Sequence, residues 1–212
     1  LHEFGHSLHG ILAEGEFPSQ TGTNVARDFV ELPSQINENW CFEPEFLNSF
    51  ARHYKTGETI PAELLQKIID SQNYLSAYGQ VRQLQFGIID MAWHTLTAVP
   101  GDETAQEFEK RVLRPYGVLP EIAETSFCQS FNHIFSGGYA AGYYSYKWAE
   151  VLEADAFSLF KENGIFDKAT ADSFRENILT KGDSEDPAVL YRKFRGRDPQ
   201  PEALMRKLGL VK

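Results

Sequence analysis

Apolar residues along this chain recur mostly at helical spacing. Phe4, Leu8, Ile11 and Leu12 mark a helix over 1–13. Gly, Ser, Thr, Asn and Pro crowd positions 15–27, which read as a loop. Helices are expected over 30–40 and 44–55, then a break at Gly57. Pro61 opens the next helix in its first turn, where the missing N–H is harmless. From 61 to 97, Leu64, Leu65, Ile68, Ile69, Leu75, Val81, Leu84, Ile88 and Met91 keep a 3.6-residue rhythm. They predict a buried stripe, split near Ser71–Asn73 into two helices. After an expected turn at Pro100-Gly101-Asp102 comes a helix over 104–114, ended by Pro115-Tyr116-Gly117. Irregular chain is expected over 118–138, a long helix over 139–162, and shorter helices over 168–180, 185–194 and 200–208. Gly164, Gly182 and Gly196 stand where helix C-caps are expected. No stretch sustains period-two alternation with turns at hairpin spacing. The fold class is therefore all-α, mainly helical, with no internal repeat.

Composition narrows the function classes. At 212 residues and 42% hydrophobic, the chain has enough material for one substantial core or two small ones. Thirty acidic against 20 basic residues give a formal charge of -10, which argues against a nucleic-acid partner. No run approaches the roughly 18 apolar residues of a membrane span. Two cysteines, Cys41 and Cys128, are too few for a disulfide framework and fit a reducing compartment. A small buried hydrophobe is the commoner role for each, a reactive thiol the rarer one. A cytoplasmic setting is expected, with export of a longer parent left open. Leu1 stands immediately before the strongest motif, so residues 1–212 are expected to be the C-terminal portion of a larger protein.

That motif is His2-Glu3-Phe4-Gly5-His6, of the form H-E-x-x-H. On a helix, positions i and i+4 lie about 40° apart and about 6 Å along the axis, so two imidazoles converge on one point. Glu3, about 100° from His2, reaches a metal-bound water without ligating. Zinc brings the pKa of such a water to about 7, and a glutamate then takes its proton. A third ligand is needed. His9 returns to nearly the same face but lies about 10 Å along the axis, too far for one zinc, so packing or solvent contact suits it better. Past the loop, Glu31, Gln35 and Glu38 share one polar helical face opposite Val30, Ile36 and Trp40. That face is either solvated or supplies a carboxylate completing a His2Glu set.

These residues, read with the rest of the chain, resemble the thimet oligopeptidase family of zinc metallopeptidases. The resemblance is carried by His2 through His9, Ser19-Gln20-Thr21-Gly22-Thr23 and Arg27-Asp28-Phe29-Val30-Glu31-Leu32-Pro33-Ser34-Gln35. It continues through His133 to Tyr146, Ser184-Glu185-Asp186 and Phe194-Arg195-Gly196-Arg197. It implies a zincin-like catalytic region, part of a larger helical, two-lobed enzyme around a deep channel whose other wall lies outside this chain. It implies one zinc per chain held by His2, His6 and Glu31, with Glu3 as general base and short peptides as substrates. Glu38 would orient a ligand histidine, and Asp28 would do the same or cap the second helix. Ser34-Gln35-Ile36-Asn37-Glu38 and Asp90-Met91-Ala92-Trp93-His94 look more like the family's peptidyl-dipeptidase branch, which releases C-terminal dipeptides. The alternative is an oligopeptidase that cuts internally.

Tyr139, Tyr143 and Tyr146 recur at i, i+4 and i+7 after Gly137-Gly138. An aromatic core stripe is the plain reading of that spacing. The resemblance implies instead that Tyr146, assisted by Tyr139, stabilises the intermediate of peptide hydrolysis, since a phenol O–H can stabilise an oxyanion. His133, Tyr143, Gly137 and Gly138 would contact the substrate. His53 and His94 read as packing or surface residues, and Arg195 and Arg197 as a structural ion pair or a grip on a substrate carboxylate. Two other classes stay open: a folded fragment inactive without the rest of the parent, and a structural zinc module, which would want a fourth protein ligand.

Overall fold

A computed structural model describes residues 1–98, 101–120 and 122–211. Among the described residues there are helices and no strand, as the all-α class requires. The helices are α1 (His2–Ile11), α2 (Leu32–Glu38), α3 (Pro44–Phe50), α4 (Ala62–Ser71), α5 (Ser76–His94), α6 (Ala105–Leu113), α7 (Asn132–Phe135), α8 (Tyr144–Asn163), α9 (Lys168–Phe174), α10 (Pro187–Arg195) and α11 (Glu202–Lys207). Pro100 of the expected turn lies outside the described residues. The chain divides into two compact units: Leu1–Tyr74 with Trp148–Lys212, and Leu75–Lys147.

In the first unit α8 supplies Leu152, Ala156, Phe157 and Phe160 to the core. They pack with Leu32 and Ile36 of α2, Phe174 of α9, and Leu190, Tyr191 and Phe194 of α10. Burying each large apolar side chain contributes about 1.5–3 kcal/mol. Trp40 closes one edge, its ring 4.7 Å from Phe157 and its Nε1–H donating to the Ile165 carbonyl at 3.1 Å. The Asp155 carboxylate is wholly enclosed here. Asp155 accepts two hydrogen bonds from the Arg197 guanidinium, at 2.6 and 2.9 Å, and one from the Tyr191 hydroxyl at 2.7 Å. Arg195 donates to the Asp155 carbonyl and to Glu162. Both arginines are thus engaged in a structural network, the first of the two roles open to them. Burial, then the Asp155 hydrogen bond, pushes the Tyr191 hydroxyl well above the ordinary tyrosine range.

The second unit has its own core of Ile89, Phe108, Leu113, Cys128, Phe131 and Ile134. Thr104 and Glu107 form a reciprocal cap at the start of α6. Glu109 accepts from Ser126 Oγ and the Phe127 and Cys128 amides, which fixes the irregular stretch after α6. Burial pushes the Cys128 thiol up to about 12, so it behaves as a small hydrophobe.

The helix expected over 44–55 ends at Phe50, and α7 falls in the stretch expected to be irregular. Two larger expectations also fail. The stripe over 61–97 is not a buried face: Leu65 is buried, but Leu64, Leu75, Leu84 and Met91 are 43–62% exposed. Periodicity marks a face that would gain from burial; it does not supply the partner. Leu75 also takes a left-handed φ of 52°, which breaks the phase between α4 and α5. The long helix begins at Tyr144, not 139. Gly138 at φ 83° and Ala141 at φ 52° turn the preceding chain instead. Tyr139 and Tyr143 therefore lie before the helix rather than on its face.

Candidate metal centre

The centre is built where α1 meets α2. Gly5 lets them approach: a Cβ there would fall onto the Pro33 carbonyl and the Ser34 Cα. No larger residue keeps that spacing. Glu31 stands at the N-cap of α2, but its side chain makes no cap. It is 3% exposed, and Ser34 Oγ donates to its Oε2 at 2.8 Å. That hydrogen bond turns the carboxylate toward α1.

Glu31 Oε2 lies 3.4 Å from His2 Nε2 and 3.2 Å from His6 Nε2. The two imidazoles stand edge to face, centroids 5.1 Å apart. One ligand atom from each of the three residues lies within 4.8 Å of the others. Tetrahedral ligands at about 2.1 Å from a zinc stand about 3.4 Å apart, and the two histidine–carboxylate distances match that spacing. Two imidazoles and one carboxylate are a donor set that zinc accepts, with one position left open. Glu38 Oε1 lies 2.6 Å from His2 Nδ1 and holds that ring from behind.

Glu3 is exposed on α1, next to His2. Gln35 is buried beside Glu31, whereas Glu38 is half exposed, so the polar face of α2 is not simply solvated. Asp28 precedes α2, whose N-cap is Glu31, so it does not cap that helix. It lines a groove of about 580 Å³ with Phe29, Trp148 and Tyr191. His9 is completely buried and neither ring nitrogen meets a hydrogen-bond partner among the described residues. Burial, then the nearby His6, pushes it down to about 4, so it stays neutral and packs.

In the second unit the structure brings His133, Tyr139, Tyr143 and Tyr146 together. Tyr139 and Tyr146 stack at 4.8 Å, Tyr143 lies 5.0 Å from Tyr146, and the His133 ring is 5.9–6.1 Å from all three. Gly137 lies tight against His133, where a Cβ would meet the His133 Cα. The rings converge through a turn, not through a shared helical face.

Sequence reasoning missed Gly5 and Ser34. Gly5 carried a signal: a glycine inside a helix is unfavourable unless something must come close. Ser34 carried none beyond its place three residues after Glu31.

The chain is similar along its length to known peptidases. The model of peptidase family M3 matches residues 1–210. Oligopeptidase A of Salmonella typhimurium is 48% identical over 215 residues, which cover 99% of this chain and 31% of the relative. Oligopeptidase A of Escherichia coli is 46% identical over 211 residues, with the same coverage. Dipeptidyl carboxypeptidase of Escherichia coli is 40% identical over 211 residues, again 99% and 31%. The chain thus spans about a third of the length of these curated relatives. A match from the first helix to the last, with the H-E-x-x-H cradle at its head, places this chain in peptidase family M3.

Proposed function

We propose that this chain carries the zinc-binding region of an oligopeptidase that hydrolyses short peptides. The observation that supports it most is the convergence of His2, His6 and Glu31 on one point. Bound there, zinc would polarise the carbonyl of the cleaved bond and bring the pKa of a water to about 7. His2 and His6 offer their Nε2 atoms, Ser34 aims Glu31, and Glu38 accepts the Nδ1–H of His2. Glu3 takes the water proton and passes it to the leaving amine. By family resemblance, Tyr146 and Tyr139 donate hydrogen bonds to the oxygen of the cleaved carbonyl. His133, Tyr143, Gly137 and Gly138 hold the peptide.

The oligopeptidase reading rests on whole-chain identity: 48% and 46% to oligopeptidase A against 40% to dipeptidyl carboxypeptidase. The lean toward a peptidyl-dipeptidase came from ten residues at 34–38 and 90–94, and the whole chain outweighs them. Release of C-terminal dipeptides is the second reading, since that relative also matches from end to end.

One experiment separates the readings. This chain, and a longer polypeptide that contains it, are given a peptide as free acid and as C-terminal amide. Internal cuts in both peptides support the oligopeptidase. Dipeptides from the free acid alone support the second reading. Activity confined to the longer polypeptide makes this chain a non-catalytic fragment by itself. Glu3→Gln should retain zinc and lose roughly 10²–10⁴ in turnover. Undiminished turnover in that variant would sink the role given to Glu3.

A further inference from the structure

Asp90 on α5 is wholly buried, yet it belongs to no ligand set. Its carboxylate meets two backbone amides and one histidine ring. Oδ1 accepts the Ala141 N–H at 2.9 Å, and Oδ2 accepts the Tyr143 N–H at 2.8 Å. One helical turn on, His94 Nδ1 lies 2.8 Å from Oδ1. All these groups lie in the second unit.

The two amides belong to the turn between Tyr139 and Tyr143. Ala141, between them, takes φ 52°, a left-handed conformation that a residue with a Cβ disfavours. The same stretch has helical spacing of its tyrosines, so an N-terminal extension of α8 is the alternative that the turn excludes. That extension would draw the Ala141 and Tyr143 amides away from the carboxylate. Chelation of both amides by one buried carboxylate favours the turn. Hydrogen bonds to a charged group are the strong kind, and a buried acceptor left unmatched is costly. The turn in turn sets where the rings of Tyr139, Tyr143 and Tyr146 meet His133.

We infer that Asp90 is a positioning residue: it holds Ala141 left-handed and thereby fixes the tyrosine cluster. Its effect on turnover rests on the peptidase reading above; the clamp itself does not.

The test uses Asp90→Asn, Ala141→Val, Ala141→Gly and the Asp90→Asn/Ala141→Gly double variant, each in this chain and in the longer polypeptide. Amide hydrogen exchange is read at Ala141 and Tyr143, and at Phe127 and Cys128 on the separate Glu109 clamp as a control. Asp90→Asn should speed exchange at 141 and 143 roughly tenfold or more and leave 127 and 128 unchanged. Ala141→Val, a surface change with Asp90 intact, should do the same, because a β-branched residue resists a positive φ. Adding Ala141→Gly to Asp90→Asn should recover much of the protection, since glycine takes that φ freely. In peptide assays kcat/KM should follow the same order, with zinc content within about twofold. Exchange unchanged in Asp90→Asn, or raised throughout the unit with no rescue by glycine, would overturn the inference. If no form cleaves peptide, the peptidase reading fails and exchange alone decides the clamp.

Discussion

The His2–His6–Glu31 cluster in the first unit and the ring cluster in the second are assembled by different physics. Around Glu31, two helices come close because Gly5 leaves room for the Pro33 carbonyl, and rigid helical spacing does the rest. Around Tyr139 no helix sets the spacing. A turn with one disfavoured φ carries the rings, and a buried carboxylate on another helix holds the turn. Helix geometry is a property of local sequence. A turn clamped from 51 and 53 residues away is a property of the folded unit.

Substitutions can test this contrast. The largest effect is expected at Gly5. Gly5→Ala drives a Cβ into the α2 backbone, which cannot move without opening the cradle. A loss of roughly 3 kcal/mol in stability is expected, and with it zinc binding. Gly10→Ala, in the same helix with open space around it, should be neutral or slightly stabilising. Thermal melts and zinc titrations compare the two; equal behaviour would break the close-approach argument.

His9 comes next. Held neutral with its pKa pushed down to about 4, it favours the fold fully above its unfolded pKa of about 6.5. That contribution disappears as the pH falls from about 6.5 to about 4, by up to about 3 kcal/mol. Metal-free urea unfolding at pH 7 and pH 4.5 should therefore show less acid sensitivity in His9→Leu than in the parent. Equal sensitivity would mean that His9 is not buried as described.

Glu38→Gln weakens the support behind His2 and should lower zinc affinity by about 10–100-fold with little change in stability. The smallest change sharpens the other side of the comparison. Ala141→Gly relieves the left-handed residue and should stabilise the second unit by about 1 kcal/mol. A destabilised variant in urea unfolding would show that Ala141 is not strained.

Much of this was legible in the sequence, and for identifiable reasons. His2, Glu3 and His6 need only the 3.6-residue turn to be placed, so their spacing suffices. Glu31 follows a loop whose path no periodicity describes, and spacing alone left it beside Gln35 and Glu38. Only the resemblance singled it out. The tyrosine spacing i, i+4, i+7 looks the same whether or not the helix forms. What breaks that helix is partly Gly138, which is visible, and partly Asp90, which is not. The stripe over 61–97 misled in another way, since amphipathic spacing says which face wants cover and not whether anything covers it. The Arg195 and Arg197 alternatives needed the position of Asp155, distant in sequence.

The deciding quantity is zinc bound per chain after loading and desalting, in the parent and in Glu31→Ala. We predict one zinc per chain in the parent and loss of it in the variant, with the helical content of both unchanged. Zinc retained in Glu31→Ala, or absent from both, would contradict a cradle formed by His2, His6 and Glu31.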